Sequence, residues 1–307
     1  MLTIILALVT GIFFTGIIIR VKSLTSGRKG PDILQPLRDI LRNLKKGSVY
    51  SETTSFIFKI APSIYFSTIV ASLFFIPFGT HKSLISFDWD FVFLFYMLAM
   101  GKFLMVIASL DTGSSFEGMG ASREAFFSML IEPAMFMIMG SFAILTGHTS
   151  FSDIFSKLHN GSYPITMTYA ISILSALIVM LIGMVENSRM PVDDPKTHLE
   201  LTMIHEVMIL DNSGFDLGLI MSASILKFTL FGAIAANLFL LPEKSLLINI
   251  AIYFSVQIFY AAFIGITESF MARFRMKKNP QFIYTITAAT LLIFIAAIHS
   301  TGFIGGN

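Results

Sequence analysis

Seven carboxylates, Glu186, Asp193, Asp194, Glu200, Glu206, Asp211 and Asp216, fall between Glu186 and Leu217. Two long apolar runs flank them, so the stretch reads as the polar working segment of a membrane protein rather than an ordinary solvated loop. Acids of this kind can pass protons by water-bridged steps. Pro191 and Pro195 separate the segment from the preceding run, and Thr197 with Glu200 fits the T-x-x-E capping box, which predicts a helix starting near Lys196. On that helix Leu199, Met203 and Glu206 share a face, while Glu200 points well away from Glu206. The acids are thus spread out rather than paired for two-carboxylate catalysis. His198 and His205 do not have the H-E-x-x-H spacing and no thiolate accompanies them, so no metal site is expected. A solvated juxtamembrane helix contacting another subunit is the alternative for Glu206 and Asp216.

Three further ionisable groups sit inside apolar runs. Glu132 precedes Pro133, and a carboxyl at that depth costs roughly 2.5–3.5 kcal/mol on insertion scales, so it needs a partner or water. The following proline frees a backbone carbonyl and can make room for that water. A proton relay is the favoured role; a neutral glutamate hydrogen-bonded to a neighbouring helix is the other. Lys102 and Lys227 either snorkel to an interface or pair with Glu132 or with an acid of the 186–216 segment.

These groups must be positioned by membrane helices. The 307 residues have a mean hydropathy of +0.78 and only 13% are charged, against about a quarter in soluble domains. The fold expected is all-α, a polytopic membrane protein with about eight spans: Leu2–Ile19, Phe56–Phe78, Phe91–Leu110, Ala125–Thr146, Tyr163–Val185, Leu217–Leu241, Leu246–Ile266 and Phe282–Ile298. The first lacks a basic n-region and a cleavage site and reads as a retained helix. Residues 1–307 form one transmembrane domain, with a cytoplasmic loop over 20–55 and the acidic segment over 186–216.

Charge sidedness sets the orientation. The odd-numbered loops carry most of the Lys and Arg, including Arg20, Lys22, Arg28, Lys29, Arg38, Arg42, Arg123, Arg189, Arg273 and Arg275. The even-numbered loops hold Lys82, Lys157 and Lys244. The positive-inside rule then places odd loops in the cytoplasm and both termini on the outer, periplasmic side of the cell's inner membrane. In the first loop, Pro36 suits a first helical turn, and Leu37, Ile40, Leu41 and Leu44 recur on one face, predicting an amphipathic interfacial helix. After the third span, Gly113, Gly118 and Gly120 suggest a flexible loop that Asp111 and Arg123 could bracket as a salt bridge. Nothing matches a phosphate-binding loop, and no basic patch suggests nucleic acid. The chain has no cysteine, so no iron–sulfur cluster or thiolate-held nickel can be Cys-ligated on it.

Several segments together resemble one family: the complex I membrane proteins of the NADH dehydrogenase subunit 1 type, and their relatives in group 4 nickel–iron hydrogenases and formate hydrogenlyases. The carriers are G-R-K-G-P (Gly27–Pro31) with Q-P-L-R-D (Gln35–Asp39), L-D-T-G-S-S-F-E-G-M-G-A-S-R-E (Leu110–Glu124), I-E-P around Glu132, R-M-P-V-D-D-P with L-E-L (Arg189–Leu201), and D-N-S-G (Asp211–Gly214). The wording of Leu110–Glu124 is similar to the hydrogenase branch. In the respiratory branch the acidic loop carries glutamates where this chain has Lys196 and His198, while Asp193, Pro195, Glu200 and Leu201 match it.

The resemblance implies a membrane anchor and proton- or ion-coupling subunit of a hydrogenase- or formate hydrogenlyase-like oxidoreductase. Such a protein carries no cofactor of its own. A Ni–Fe centre and iron–sulfur clusters belong to partners: hydrogenase-like large and small peripheral subunits, an iron–sulfur subunit and antiporter-like membrane subunits, with quinone as a possible ligand. The proton path expected comprises Glu132, Asp193, Glu200, Glu206, Lys102 and Lys227. Arg28, Gln35, Arg38, Arg123 and Arg189 are expected to organise the docking surface. The alternatives are the quinone-site subunit of a complex I-like NADH dehydrogenase, which needs a chamber between the first span, the first loop and the sixth span, or a stand-alone ion channel or carrier.

Overall fold

In lipid every backbone N–H and C=O must be satisfied within the protein, which leaves helices as the economical solution for apolar segments of this length. The computed structural model describes residues 2–158, 165–194, 203–241 and 244–300. Among these residues there are α-helices and no strands: α1 (Leu2–Thr25), α2 (Gln35–Leu44), α3 (Phe56–Ser72), α4 (Asp90–Asp111), α5 (Ser115–Thr146), α6 (Phe151–Leu158), α7 (Ile165–Glu186), α8 (His205–Met208), α9 (Gly214–Asn237), α10 (Leu246–Phe270) and α11 (Asn279–Ser300). Eight helices are long and apolar enough to cross a membrane, namely α1, α3, α4, α5, α7, α9, α10 and α11. The chain is a multi-pass membrane protein.

α9 is the hub. In its most apolar window 72% of residues are buried, against 28% in α10 and in α11, and it touches α1, α2, α3, α7 and α10. Its run of small residues (Gly232, Ala233, Ala235, Ala236) lets neighbours approach closely, the usual basis of helix association where lipid offers no hydrophobic driving force. At the other end of α9, a methyl group added to Gly218 would lie 2.9 Å from Leu44 Cδ2. α2 therefore lies directly on α9. Ile40 is buried there, Asn43 donates to Met221 Sδ (3.4 Å) and Leu41 is turned outward. The expected apolar face is thus rotated: α2 is amphipathic, but its seat is a neighbouring helix.

The bundle has two unlike ends. One gathers α2, α8 and the chain on either side of it, and residues 271–278. The other is closed by α6, whose start is held by Asp90: Oδ1 accepts from Phe151 N (2.7 Å) and Oδ2 from Ser150 Oγ (3.0 Å).

The glycine-rich stretch after α4 differs from the expected loop. Only Thr112–Ser114 turns, with Gly113 at a φ of +71°, and α5 begins at Ser115. Gly120 serves packing instead of a turn. A methyl there would collide with Val207 Cγ1 and sit 2.9 Å from Ile204 O, so α8 presses on the backbone of α5 one turn before Glu124. Asp111 and Arg123 do not pair with each other. Asp111 Oδ2 accepts from Ser55 N (2.7 Å), and Arg123 donates to Met203 O (2.8 Å).

Candidate functional site

Four charged side chains from α4, α5, α7 and α9 meet inside the bundle. Lys102 Nζ lies 2.9 Å from Glu186 Oε2 and 3.1 Å from Glu124 Oε1, and Lys227 Nζ lies 2.7 Å from the same Glu186 oxygen. Lys227 also donates to Glu186 O (2.7 Å), Lys102 to Ser128 Oγ (2.8 Å), and Ser188 to Glu124 Oε2 (2.8 Å). Lys227 is 1% exposed, Glu124 4% and Glu186 7%. Two ammonium groups balance two carboxylates, so the group is neutral as a whole. Desolvating charges costs several kcal/mol each and is offset only by close pairing of this kind. Such a cluster can shift a proton between members with little change in net charge.

A cavity of about 300 Å³ lies beside this tetrad, walled by α1 (Thr15, Ile18, Lys22), α2 (Gln35, Asp39, Ile40) and α9 (Met221, Ile225, Phe228), with Arg189, Asp193, Glu206 and Glu268 at its polar side. An ion triad ties three of its walls: Glu268 accepts from Lys22 (2.8 Å) and Arg189 (3.2 Å), and the Arg189 guanidinium stacks 5.1 Å over the Phe228 ring. A second space of about 10 Å³, room for about one water, lies among Tyr65, Lys102, Glu124, Glu186, Asn187, His205 and Ser224.

A family model described as NADH dehydrogenase matches residues 1–299. The chain belongs to the NADH dehydrogenase family. Among curated relatives it is 28% identical to hydrogenase-4 component C of Escherichia coli (strain K12) over 74% of this chain and 70% of that one. It is 24% identical to formate hydrogenlyase subunit 4 of the same organism, over 88% of this chain and 89% of that one. It is 25% identical to NADH-ubiquinone oxidoreductase chain 1 of Triticum aestivum over 86% and 84%. The fold is shared with a chain in the structure of the membrane-bound sulfane sulfur reductase, an archaeal respiratory membrane complex, at a TM-score of 0.79 and 21% identity, covering 96% of this chain and 97% of that one.

In this member of the NADH dehydrogenase family the sequence-predicted residues divide into three groups. Lys102 and Lys227 enter the tetrad; neither snorkels. Their partners are Glu124 and Glu186, not Glu132. Glu132 is half-buried and makes no ion pair among the described residues, but it lies one turn beyond Ser128, about 6 Å along α5. The helix continues through Pro133. Asp193 and Glu206 line the large cavity; Glu200, and the helix start predicted near Lys196, lie outside the described residues.

Asp193 is a structural clasp as well as a wall residue. Its Oδ1 meets Arg273 (2.7 Å) and Asp194 N (2.9 Å), and its Oδ2 accepts from Ile204 N (3.0 Å) and His205 N (3.2 Å). Burial pushes its carboxyl above the usual range, and the Arg273 charge and these N–H donors oppose that shift.

Two of the residues expected on the docking surface have partners within the chain. Arg189 points into the cavity at Glu268, and Arg123 holds the Met203 carbonyl. Gln35 donates to Asp39 (2.9 Å) in the cavity wall. Arg28 and Arg38 are exposed, Arg38 pairing with Asp32 (2.8 Å). Sequence reasoning missed Glu124 and Glu268 as site residues. For Glu124 the signal existed: Glu124, Ser128 and Glu132 recur every fourth position along one face of α5.

Proposed function

We propose that this chain is the membrane-anchor and proton-coupling subunit of a multisubunit hydrogenase- or formate hydrogenlyase-like oxidoreductase. The observation that carries this reading is the neutral buried tetrad Lys102–Glu124–Glu186–Lys227 beside a cavity, in a chain with no cysteine to hold a redox centre. Residues built this way respond to a charge or ligand arriving in the cavity by redistributing protons, and Glu132 continues the path along α5 toward antiporter-like membrane subunits. Electron transfer belongs to partners: a large subunit with the Ni–Fe centre, a small subunit and an iron–sulfur subunit, docked on the end that carries α2, Arg28 and Arg38. The 20–55 loop and the 186–216 segment face these partners in the cytoplasm, both termini face outward, and the membrane is the cell's inner membrane. Basic residues concentrated in the odd-numbered loops support that orientation.

The cavity favours one alternative, the quinone-site subunit of a complex I-like enzyme, because it lies between α1, α2 and α9, where an isoprenoid headgroup would have to enter. Purification of the tagged chain in mild detergent separates the two. Co-purified nickel with a Cys-bearing large subunit supports the hydrogenase-like assignment; flavin and bound quinone without nickel support the other; recovery of the chain alone refutes both. Within the complex, Glu132→Gln should leave assembly intact and uncouple turnover from proton movement. Unchanged coupling removes Glu132 from the path.

A further inference from the structure

We infer that His205 is the proton-transfer group between the large cavity and the buried tetrad. The inference rests on the coupling function proposed above and adds to it the residue at the junction. Three residues, Asn187, His205 and Ser224, line both the 300 Å³ cavity and the water-sized space against the tetrad. They are the wall the two spaces share. Of the three, only the imidazole has two ring nitrogens that can accept a proton on one side and donate one on the other, so it can serve two compartments at once.

The main chain at His205 is fixed from two directions. Asp193 Oδ2 accepts from the N–H groups of Ile204 and His205, and α8 is seated on Gly120, where no larger residue fits. The ring itself is half-buried and makes no hydrogen bond among the described residues. Next to it, Asn187 donates to Gly183 O (2.8 Å), while its Oδ1 is buried with no donor. A buried acceptor left open carries the full penalty of its lost hydration. A water in the small space, or an imidazolium N–H, would satisfy it. The titratable groups that line the two spaces with it are Tyr65, Lys102, Glu124 and Glu186 on the buried side, and Lys22, Asp39, Arg189, Asp193, Glu206 and Glu268 on the cavity side.

The step balances without a redox partner. One ring nitrogen takes a proton from a donor in the cavity; the other releases one, through a single water, to Glu124 or Glu186. The ring is then left as its other tautomer, and a flip of the ring about the Cβ–Cγ bond restores the starting one.

The test uses the intact complex in proteoliposomes, driven by reduced methyl viologen, with an internal pH dye. His205→Ala should assemble and lower the rate of proton movement by roughly tenfold or more. Added 4-methylimidazole should restore it in a concentration-dependent manner, because a free imidazole can occupy the emptied junction. Coupling that is unchanged in His205→Ala overturns the inference. So does a loss that 4-methylimidazole fails to restore in assembled complex, since that outcome marks a packing role. If His205→Ala fails to assemble, His205→Asn is subjected to the same rescue with the same two outcomes. A wild-type complex that turns over without moving protons instead refutes the coupling function itself.

Discussion

Glu186 holds two ammonium groups at once, and replacing it by glutamine tests whether the tetrad is an electrostatic unit. Glu186→Gln keeps size and hydrogen-bonding capacity but leaves the group with a net charge of +1. Lys227 is then buried at 1% exposure with neutral oxygen acceptors of residue 186 in place of the carboxylate that balanced its charge. Breaking one side of a buried ion pair costs about 3–5 kcal/mol. The upper end has an independent bound: at pH 7 a lysine of ordinary pKa near 10.4 can be neutralised for about 5 kcal/mol. At about 2–4 °C per kcal/mol, the scale for chains of 150–250 residues, the variant should lose on the order of 10 °C of thermal stability. The assay is loss of monodispersity on size-exclusion chromatography after heating in detergent. Adding Lys227→Met removes the orphaned charge and leaves Lys102 paired with Glu124. The double variant should recover roughly 2 kcal/mol relative to the sum of the single effects. Additive losses, or a Glu186→Gln protein as stable as the parent, would refute the view that these four charges act as one group.

Other perturbations read different parts of the site. Gly120→Val should destabilise the protein by about 1–3 kcal/mol, because the new side chain meets Val207 and the Ile204 carbonyl; heating in detergent measures it. Arg273→Ala removes the charge opposing burial at Asp193 and drives that carboxyl further up. A carboxyl whose folded pKa stands above its unfolded value stabilises at low pH and loses that contribution as pH rises through the folded pKa. The stability deficit of Arg273→Ala should therefore be larger at pH 8 than at pH 5, and a deficit independent of pH would show Asp193 to be unaffected. Arg28→Ala should loosen peripheral partners without changing the stability of the chain, measured as subunit stoichiometry after purification.

The eight spans were legible because apolar length alone marks them, and their ends shifted mainly where polar residues continue a helix. α1 runs to Thr25 past Arg20 and Lys22, and α5 starts at Ser115 rather than near Ala125. Both extensions carry charges that hydropathy counts as loop. The lysines of the tetrad were visible as charges in apolar runs, and an acid of the 186–216 segment was among their expected partners, as Glu186 is, but Glu124 was not. Glu124 lay inside a stretch whose glycines suggested a loop, and Glu186 sat at the edge of a charge island whose other acids drew the eye. Periodicity describes one helix at a time, whereas the tetrad depends on how α4, α5, α7 and α9 are rotated toward each other. The partners of Arg189 and Arg123 were hidden for the same reason: Glu268 and Met203 lie about 80 positions away along the chain.

The Lys22–Glu268 contact joins residues 246 positions apart, and it bears on how the protein is made. Chains enter the membrane N-terminus first, so α1 is inserted long before its partners on α9 and α10 exist. It must wait in the bilayer, its buried face lipid-exposed, until nearly the whole chain has been synthesised. The cavity is thus among the last features to form. A nascent chain stopped short of α10 would carry the whole tetrad, since Lys102, Glu124, Glu186 and Lys227 all precede that helix. It would lack Glu268, which ties Lys22 of α1 to Arg189 at the polar side of the cavity, so biogenesis itself delays the locking of that wall beside the tetrad.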